Sequence, residues 1–144
     1  MSTSPERFPV FSEAWARACA EILNRQDGYR TAAASWEVTV MLTMSSIEAD
    51  GSERRVFLDL WRGECRVARA AGPEDEAQAR YILSGTVVAW QQVLTGAMAP
   101  LLAIMTGKVR LTKGSLLELL PYVNAARELV AAASLVHASF PESA

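Results

Sequence analysis

Residues 81–107 read YILSGTVVAWQQVLTGAMAPLLAIMTG, a run without one charged side chain. On length alone it is enough to span a bilayer, for which about 20 apolar residues suffice. Its composition is wrong for that role. Gly85, Gly96 and Gly107 punctuate it, Pro100 has no backbone N–H, and Gln91-Gln92 would carry two amides into hydrocarbon. The run therefore reads as short buried elements. Val87, Trp90, Val93 and Leu94 mark one helix, while Met98, Leu101, Leu102 and Met105 mark a second at i, i+3, i+4, i+7 spacing. Ser/Thr-Gly pairs at 84–85, 95–96 and 106–107 recur at a fixed interval. A right-handed coiled coil of that period would carry a glycine break in every repeat, so the pairs mark the ends of elements instead.

Working outward, Lys108 to Lys113 alternate apolar and polar residues without a fault and predict a strand. Ala79 to Leu83 predicts another on the near side of the run. Upstream, Trp36, Val38, Val40, Leu42 and Met44 alternate with Glu37, Thr39, Met41 and Thr43. Asp50-Gly51 supplies a hairpin turn, and Val56, Leu58 and Leu60 alternate with Phe57, Asp59 and Trp61. Arg62-Gly63-Glu64 turns the chain into a short strand from Cys65 to Ala70, completing a three-stranded antiparallel meander. Gly72-Pro73 with Glu74, Asp75 and Glu76 is an exposed link or a single helical turn.

The first helix is capped by Ser12, with Phe11, Trp15, Cys19, Ile22 and Leu23 on its apolar stripe, and it is expected to run to Asp27-Gly28. Residues 1–10 form a loose lead-in to a domain over 11–140. A last helix spans 115–139, opened by the capping box Ser115/Glu118 and kinked or restarted at Pro121. It carries one stripe (Tyr122, Ala126, Leu129, Ala133, Val136, Phe140) and a second apolar arc (Leu119, Val123, Val130). A helix wet on one side has no need of both, so the second arc faces a ligand cavity or a partner chain. The fold class is α+β, a five-stranded sheet with helices on one face.

The 144 residues carry 14 Lys+Arg against 16 Asp+Glu, a formal charge of -2. One domain of this length buries about 68 to 70% of its unfolded surface, enough for a core and one pocket. Near-neutral charge supplies no basic stripe for nucleic acid and no polybasic membrane patch. One histidine and two cysteines exclude most metal chemistry: His137 lacks an HExxH partner, and Cys19 and Cys65 form no CxxC. No secretory signal is evident, so the cytosol is the expected compartment. There is no GxGxxG, no phosphate loop and no GxSxG elbow. His137 reads as a solvent-facing or capping imidazole and Cys65 as a small apolar strand residue. Asp59 reads as a carboxylate on the wet sheet face paired with Arg66 or Arg69. The enzymatic alternative would use Asp59 or Tyr81 as acid or base.

The order of elements resembles the sterol carrier protein 2 (SCP-2) family. The resemblance rests on Phe11-x3-Trp15 opening a helix that ends in Leu23-Asn24, then Trp36, then Phe57-Leu58-Asp59-Leu60 followed by Gly63. It is strongest in Ala79-x-Tyr81-Ile82-Leu83-Ser84-Gly85, Trp90, Leu94, Gly96, Pro100 and Gly107-Lys108-Val109-x-Leu111 with Gly114. The resemblance implies an α+β domain enclosing a hydrophobic tunnel for fatty acyl chains, acyl-CoA, sterols or other lipids, with no catalytic residue, cofactor or metal of its own. Trp90, Leu94, Met98, Leu101, Leu102 and Met105 are the expected ligand contacts on the short helices. Tyr81, Leu119 and Val123 are expected to join them. The terminal Glu142-Ser143-Ala144 lacks the peroxisomal tripeptide of eukaryotic members, which favours a stand-alone bacterial relative. The rival function is a dimerising interaction module with a vestigial cavity.

Titration of the denatured protein is expected to find two free thiols, and elemental analysis of the native protein no stoichiometric metal. Zinc near one equivalent would contradict the cysteine arithmetic.

Overall fold

The computed structural model describes residues 8–45 and 53–140. The centre of the fold is a five-stranded sheet built from β2 (Glu37–Met44), β3 (Arg54–Trp61), β4 (Glu64–Ala70), β5 (Tyr81–Gly85) and β6 (Val109–Lys113), in the order β4-β3-β2-β5-β6. The meander is antiparallel, with Val38 opposite Leu60 and Val40 opposite Leu58. β5 then joins the free edge of β2 in parallel, Val40 opposite Tyr81, and β6 returns antiparallel to it. The Asp50-Gly51 turn lies outside the described residues. The second turn is a two-residue hairpin: Arg62 at φ 48 and Gly63 at φ 86 are both left-handed, as a type I′ connection requires. A side chain at Gly63 would meet the Arg30 carbonyl oxygen at 2.7 Å.

Period-two alternation sorts the strands onto two faces. Val38, Val40, Leu42, Met44, Val56, Leu58 and Leu60 are buried together beneath the helices. The helices are α1 (Glu13–Leu23), α2 (Asp27–Ala32), α3 (Val87–Leu94), α4 (Pro100–Met105), α5 (Leu116–Leu119) and α6 (Val123–Ser134). Ser12 caps α1 by accepting the Trp15 N–H at 3.1 Å. Phe11, just before that cap, sits at φ 61, a left-handed conformation that a bulky residue adopts only when its surroundings hold it there. Its ring lies 5.1 Å from both Trp15 and Trp90. On the opposite face a smaller cluster, Met41, Phe57 and Ala79 with Ala71 and Ile82, is covered by the link from β4 to β5.

Several boundaries differ from the sequence reading. The strand read over 79–83 lies at Tyr81–Gly85, because the Arg80 N–H already bonds the Thr39 carbonyl and ladder pairing with β2 starts at Tyr81 opposite Val40. The first helix stops at Leu23, not at Asp27-Gly28, which instead open α2. At that end the Asn24 side chain accepts the Cys65 N–H at 2.8 Å and donates to the Cys65 carbonyl at 3.2 Å, tying the helix end to the edge strand β4 beside a register shift in its pairing with β3, and the backbone turns extended at Gln26. The last helix ends at Ser134, not 139, because residues 138–139 (β7, Ala138–Ser139) pair in parallel with β1 (Phe8–Pro9). Phe8 N–H donates to the His137 carbonyl at 2.8 Å and Val10 N–H to that of Ser139 at 3.0 Å, so the end of the lead-in is tied down rather than loose. Pro121 acts as read: a 3-10 turn, Leu120–Tyr122, separates α5 from α6.

The link crossing the second face forms a 3-10 turn over Pro73–Ala77 and is pinned by one buried carboxylate. Asp75 accepts from Arg69 Nη1 and Nη2, both at 2.8 Å, and from the Gly72 N–H at 2.9 Å. The Arg69 hydrogen bond, followed by that of Gly72, holds its carboxyl down from 3.8 to about 2. Because the folded value is depressed, the stability it contributes is present above the ordinary carboxylate range and is lost as pH falls from about 4 towards 2. Asp75→Asn is expected to lower the unfolding free energy by about 1 to 3 kcal/mol at pH 7. The gap between parent and variant in urea titrations should narrow at pH 2.

Candidate functional site

The short helices are positioned by their ends. Thr86 caps α3, its hydroxyl accepting the Ala89 N–H at 3.1 Å. Gly96 at φ 84 and Gly107 at φ 78 terminate α3 and α4 in the left-handed cap for which glycine is suited. Pro100 opens α4 at its first turn, where its missing N–H is not needed. The third Ser/Thr-Gly pair ends β5, and there glycine has a steric purpose. A Cβ on Gly85 would lie 3.1 Å from Trp90 Nε1, which donates to the Thr43 carbonyl at 2.9 Å.

Between these helices and the sheet lies a cavity of about 410 Å³. Its floor is the inward face of the strands, including Val40, Leu42, Leu58, Leu83 and Val109. α1 contributes Trp15 and Cys19, α3 Trp90, Val93 and Leu94, and α4 Leu101, Leu102, Ile104 and Met105. The remaining wall comes from α5 and α6, with Leu116, Leu119, Val123, Ala126, Leu129, Val130 and Ala133. Leu102 and Met105 are 50% and 67% exposed while lining the cavity, so they stand where it meets solvent. Arg127 is the one charged residue among the described lining residues.

Of the residues singled out from the sequence, Tyr81, Trp90, Leu94, Leu101, Leu102, Met105, Leu119 and Val123 line this cavity. Met98 lies outside the lining. Because α4 starts at Pro100, Met98 falls in the connector, its N–H bonded to the Gln92 carbonyl at 3.0 Å and its side chain packed on the core. Periodicity marked the strand residues Val40, Leu42, Leu58 and Leu83 only as an apolar face, and it is silent on whether such a face meets atoms or space. Arg127 had a legible signal: it interrupts the arc Leu119, Val123, Val130.

Of the two acid–base candidates, Tyr81 lines the cavity and Asp59 does not. Asp59 lies on the strand face opposite the helices, where Arg66 Nη2 reaches its two oxygens at 3.0 and 3.2 Å and stacks over Trp61. Tyr81 donates its hydroxyl to Glu118 Oε2 at 2.9 Å; burial, and then this bond, push its pKa up. Glu118 is held by Arg80 at 2.7 Å, which lowers its pKa. Burial pushes the Cys19 and Cys65 thiols up to about 12, far from the thiolate needed for nucleophilic chemistry. His137 is exposed. Among the described residues no group of three His, Cys, Asp or Glu side chains is placed to hold a metal ion, and no helix is long and apolar enough to cross a membrane.

The model of the SCP-2 sterol transfer family matches residues 20–117. A crystal structure of sterol carrier protein 2 is 40% identical, covering 88% of this chain and 98% of its own, with a TM-score of 0.80. The solution structure of a conserved hypothetical protein of Thermus thermophilus, possibly a sterol carrier protein, is 37% identical over 100% of both chains, with a TM-score of 0.81. Sterol carrier protein 2 of Yarrowia lipolytica in its apo form covers 83% of this chain and 88% of its own at 16% identity and a TM-score of 0.57, a likeness of fold alone. No curated protein matches the chain. With a family match across most of the domain and two full-length structural relatives near 40% identity, the chain belongs to the SCP-2 sterol transfer family.

Proposed function

We propose that the protein is a non-enzymatic carrier that binds the acyl chain or ring system of a lipid in the cavity above the sheet, acting in the cytosol. The observation that carries this reading is the apolar lining of a 410 Å³ space that opens beside exposed Leu102 and Met105. The size falls in the range of about 300 to 1,000 Å³ typical of small-molecule sites. A twelve-carbon chain buried there would gain on the order of 10 kcal/mol before ordering costs are subtracted. Family membership supports the same reading.

The arrangement of the last helix favours a ligand over a partner chain. Leu119, Val123 and Val130 line the cavity, and so do Ala126, Leu129 and Ala133 of the first stripe. Ala125 and Ala132 are buried, α6 packing against α1 and α2. That Leu119, Val123 and Val130 border the cavity supports a ligand as the group this arc faces.

Native mass spectrometry of the freshly purified protein, followed by lipid extraction, is expected to find a co-purifying apolar molecule. Trp15, Trp36 and Trp90 all line the cavity while Trp61 is on the other face, so long-chain acyl ligands should change the tryptophan emission of the parent. Ala126→Phe should fill part of the space and weaken such binding at least tenfold with little change in melting temperature. In a solid core the same enlargement would overpack and cost about 1 to 3 kcal/mol. If Ala126→Phe is strongly destabilising and no acyl or sterol ligand raises the melting temperature of the parent, the carrier reading is wrong.

A further inference from the structure

Arg127 breaks the pattern of its surroundings twice. On α6 it occupies the helical row of Val123 and Val130, where neighbours at i−4 and i+3 present apolar side chains to the cavity. It is also exposed. It borders an outer hollow with Asp27, Gly28, Asn124 and Glu128, and a long cationic side chain set between an apolar wall and water can lay its methylene stem along the wall and keep its guanidinium wet. Every other described residue of the lining is uncharged.

The guanidinium forms no ion pair among the described residues. Arg17, Arg55, Arg62, Arg66, Arg69 and Arg80 each pair with an acidic side chain. Among the described residues Arg127 has no ion pair or hydrogen bond of its side chain. Asp27 and Glu128 line the same shallow outer hollow as Arg127 without an ion pair to it. An unpaired planar fork of donors beside an apolar cavity suits a ligand with one oxyanion and one apolar body.

We infer that Arg127 is the head-group anchor of the cavity, selecting single-chain amphiphiles that end in a carboxylate or phosphate over neutral lipids of the same length. This rests on the carrier reading, because it assigns the polar end of a ligand whose apolar end occupies the cavity. The guanidinium stays at the solvent edge and accepts the anion there, so no charge enters the apolar interior. The chain then runs inward past Val123 and Val130. The bland alternative is that Arg127 contributes only its methylene stem to the wall, in which case removing the charge leaves ligand preference untouched.

The test compares dodecanoate, dodecyl phosphate and neutral methyl dodecanoate on the full chain, read by tryptophan emission and by calorimetry, for the parent, Arg127→Met and Arg127→Lys. The parent is expected to bind at least one of the two anions tenfold or more tightly than the ester. Which anion is favoured separates a carboxylate from a phosphate head group. Arg127→Met keeps an unbranched apolar stem; it should lose that advantage while its affinity for the ester stays within about twofold. Arg127→Lys should restore part of the preference, since a point charge replaces the fork. The inference is overturned if the parent binds ester as tightly as both anions, or if the anion advantage survives in Arg127→Met. If none of the three ligands, nor any sterol, binds the parent, the carrier reading fails with it; tight ester binding without discrimination removes the anchor alone. The parent's own anion-to-ester ratio decides the matter even where a variant folds poorly.

Discussion

A single buried hydrogen bond, from Trp90 Nε1 to the carbonyl of Thr43 at 2.9 Å, fixes how the helical layer sits on the sheet. It joins α3 to the central strand β2, and Gly85 leaves the indole room there, since a Cβ at that position would stand 3.1 Å from Trp90 Nε1. The same ring packs against Phe11, whose left-handed backbone carries the chain from β1 into α1. Three separate regions thus converge on one indole. An unmade bond at that position would leave a buried donor at a cost of about 1 to 3 kcal/mol, so the ring has one satisfactory place and α3 follows it.

With α3 fixed, the remaining cover is supplied by elements too short to close over the sheet. Thr86 and Gly96 confine α3 to Val87–Leu94, and Pro100 and Gly107 confine α4 to Pro100–Met105. A continuous helix would lay one regular ridge of side chains across the sheet. Two short ones separated by the 95–99 connector interrupt that ridge, and α6 closes the other side with a row rich in alanine and valine. The cavity is therefore a consequence of where helices are forced to end. Its chemistry follows from the strand alternation beneath it, which presents Val40, Leu42 and Leu58 upward and sends Asp59 and Trp61 to the other face.

That other face has its own solution. A sheet covered by helices on one side needs only a little apolar cover on the second, and the crossover from β4 to β5 supplies it with Ala71 and Ala79 over Met41 and Phe57. The Asp75–Arg69 pair holds this strap, with the Arg69 guanidinium 4.9 Å from the Phe57 ring. Separating the two faces in this way keeps the ion pairs of Asp59 and Asp75 away from the cavity, where an unsolvated charge would be costly.

The amino-acid sequence by itself determined the local grammar. Alternation from Trp36 to Ala70 and from Lys108 to Lys113 set which strand residues share a face, because side-chain direction along a strand is a covalent property of period two. The glycines at 85, 96 and 107 and the proline at 121 ended or restarted elements for equally local reasons. The order of those elements sufficed to suggest the family. What only the tertiary structure decided were the features that depend on a partner distant in the chain. The end of α1 is tied to β4 by the Asn24–Cys65 hydrogen bonds, and residues 138–139 pair with Phe8–Pro9 instead of continuing the helix. The cavity is of the same kind: periodicity says that a face is apolar, but whether facing layers interlock or stand apart depends on distances that no single segment encodes. Arg127 combines both: its interruption of the arc Leu119, Val123, Val130 is legible in the sequence, but only the folded wall makes it the charged residue beside an apolar space.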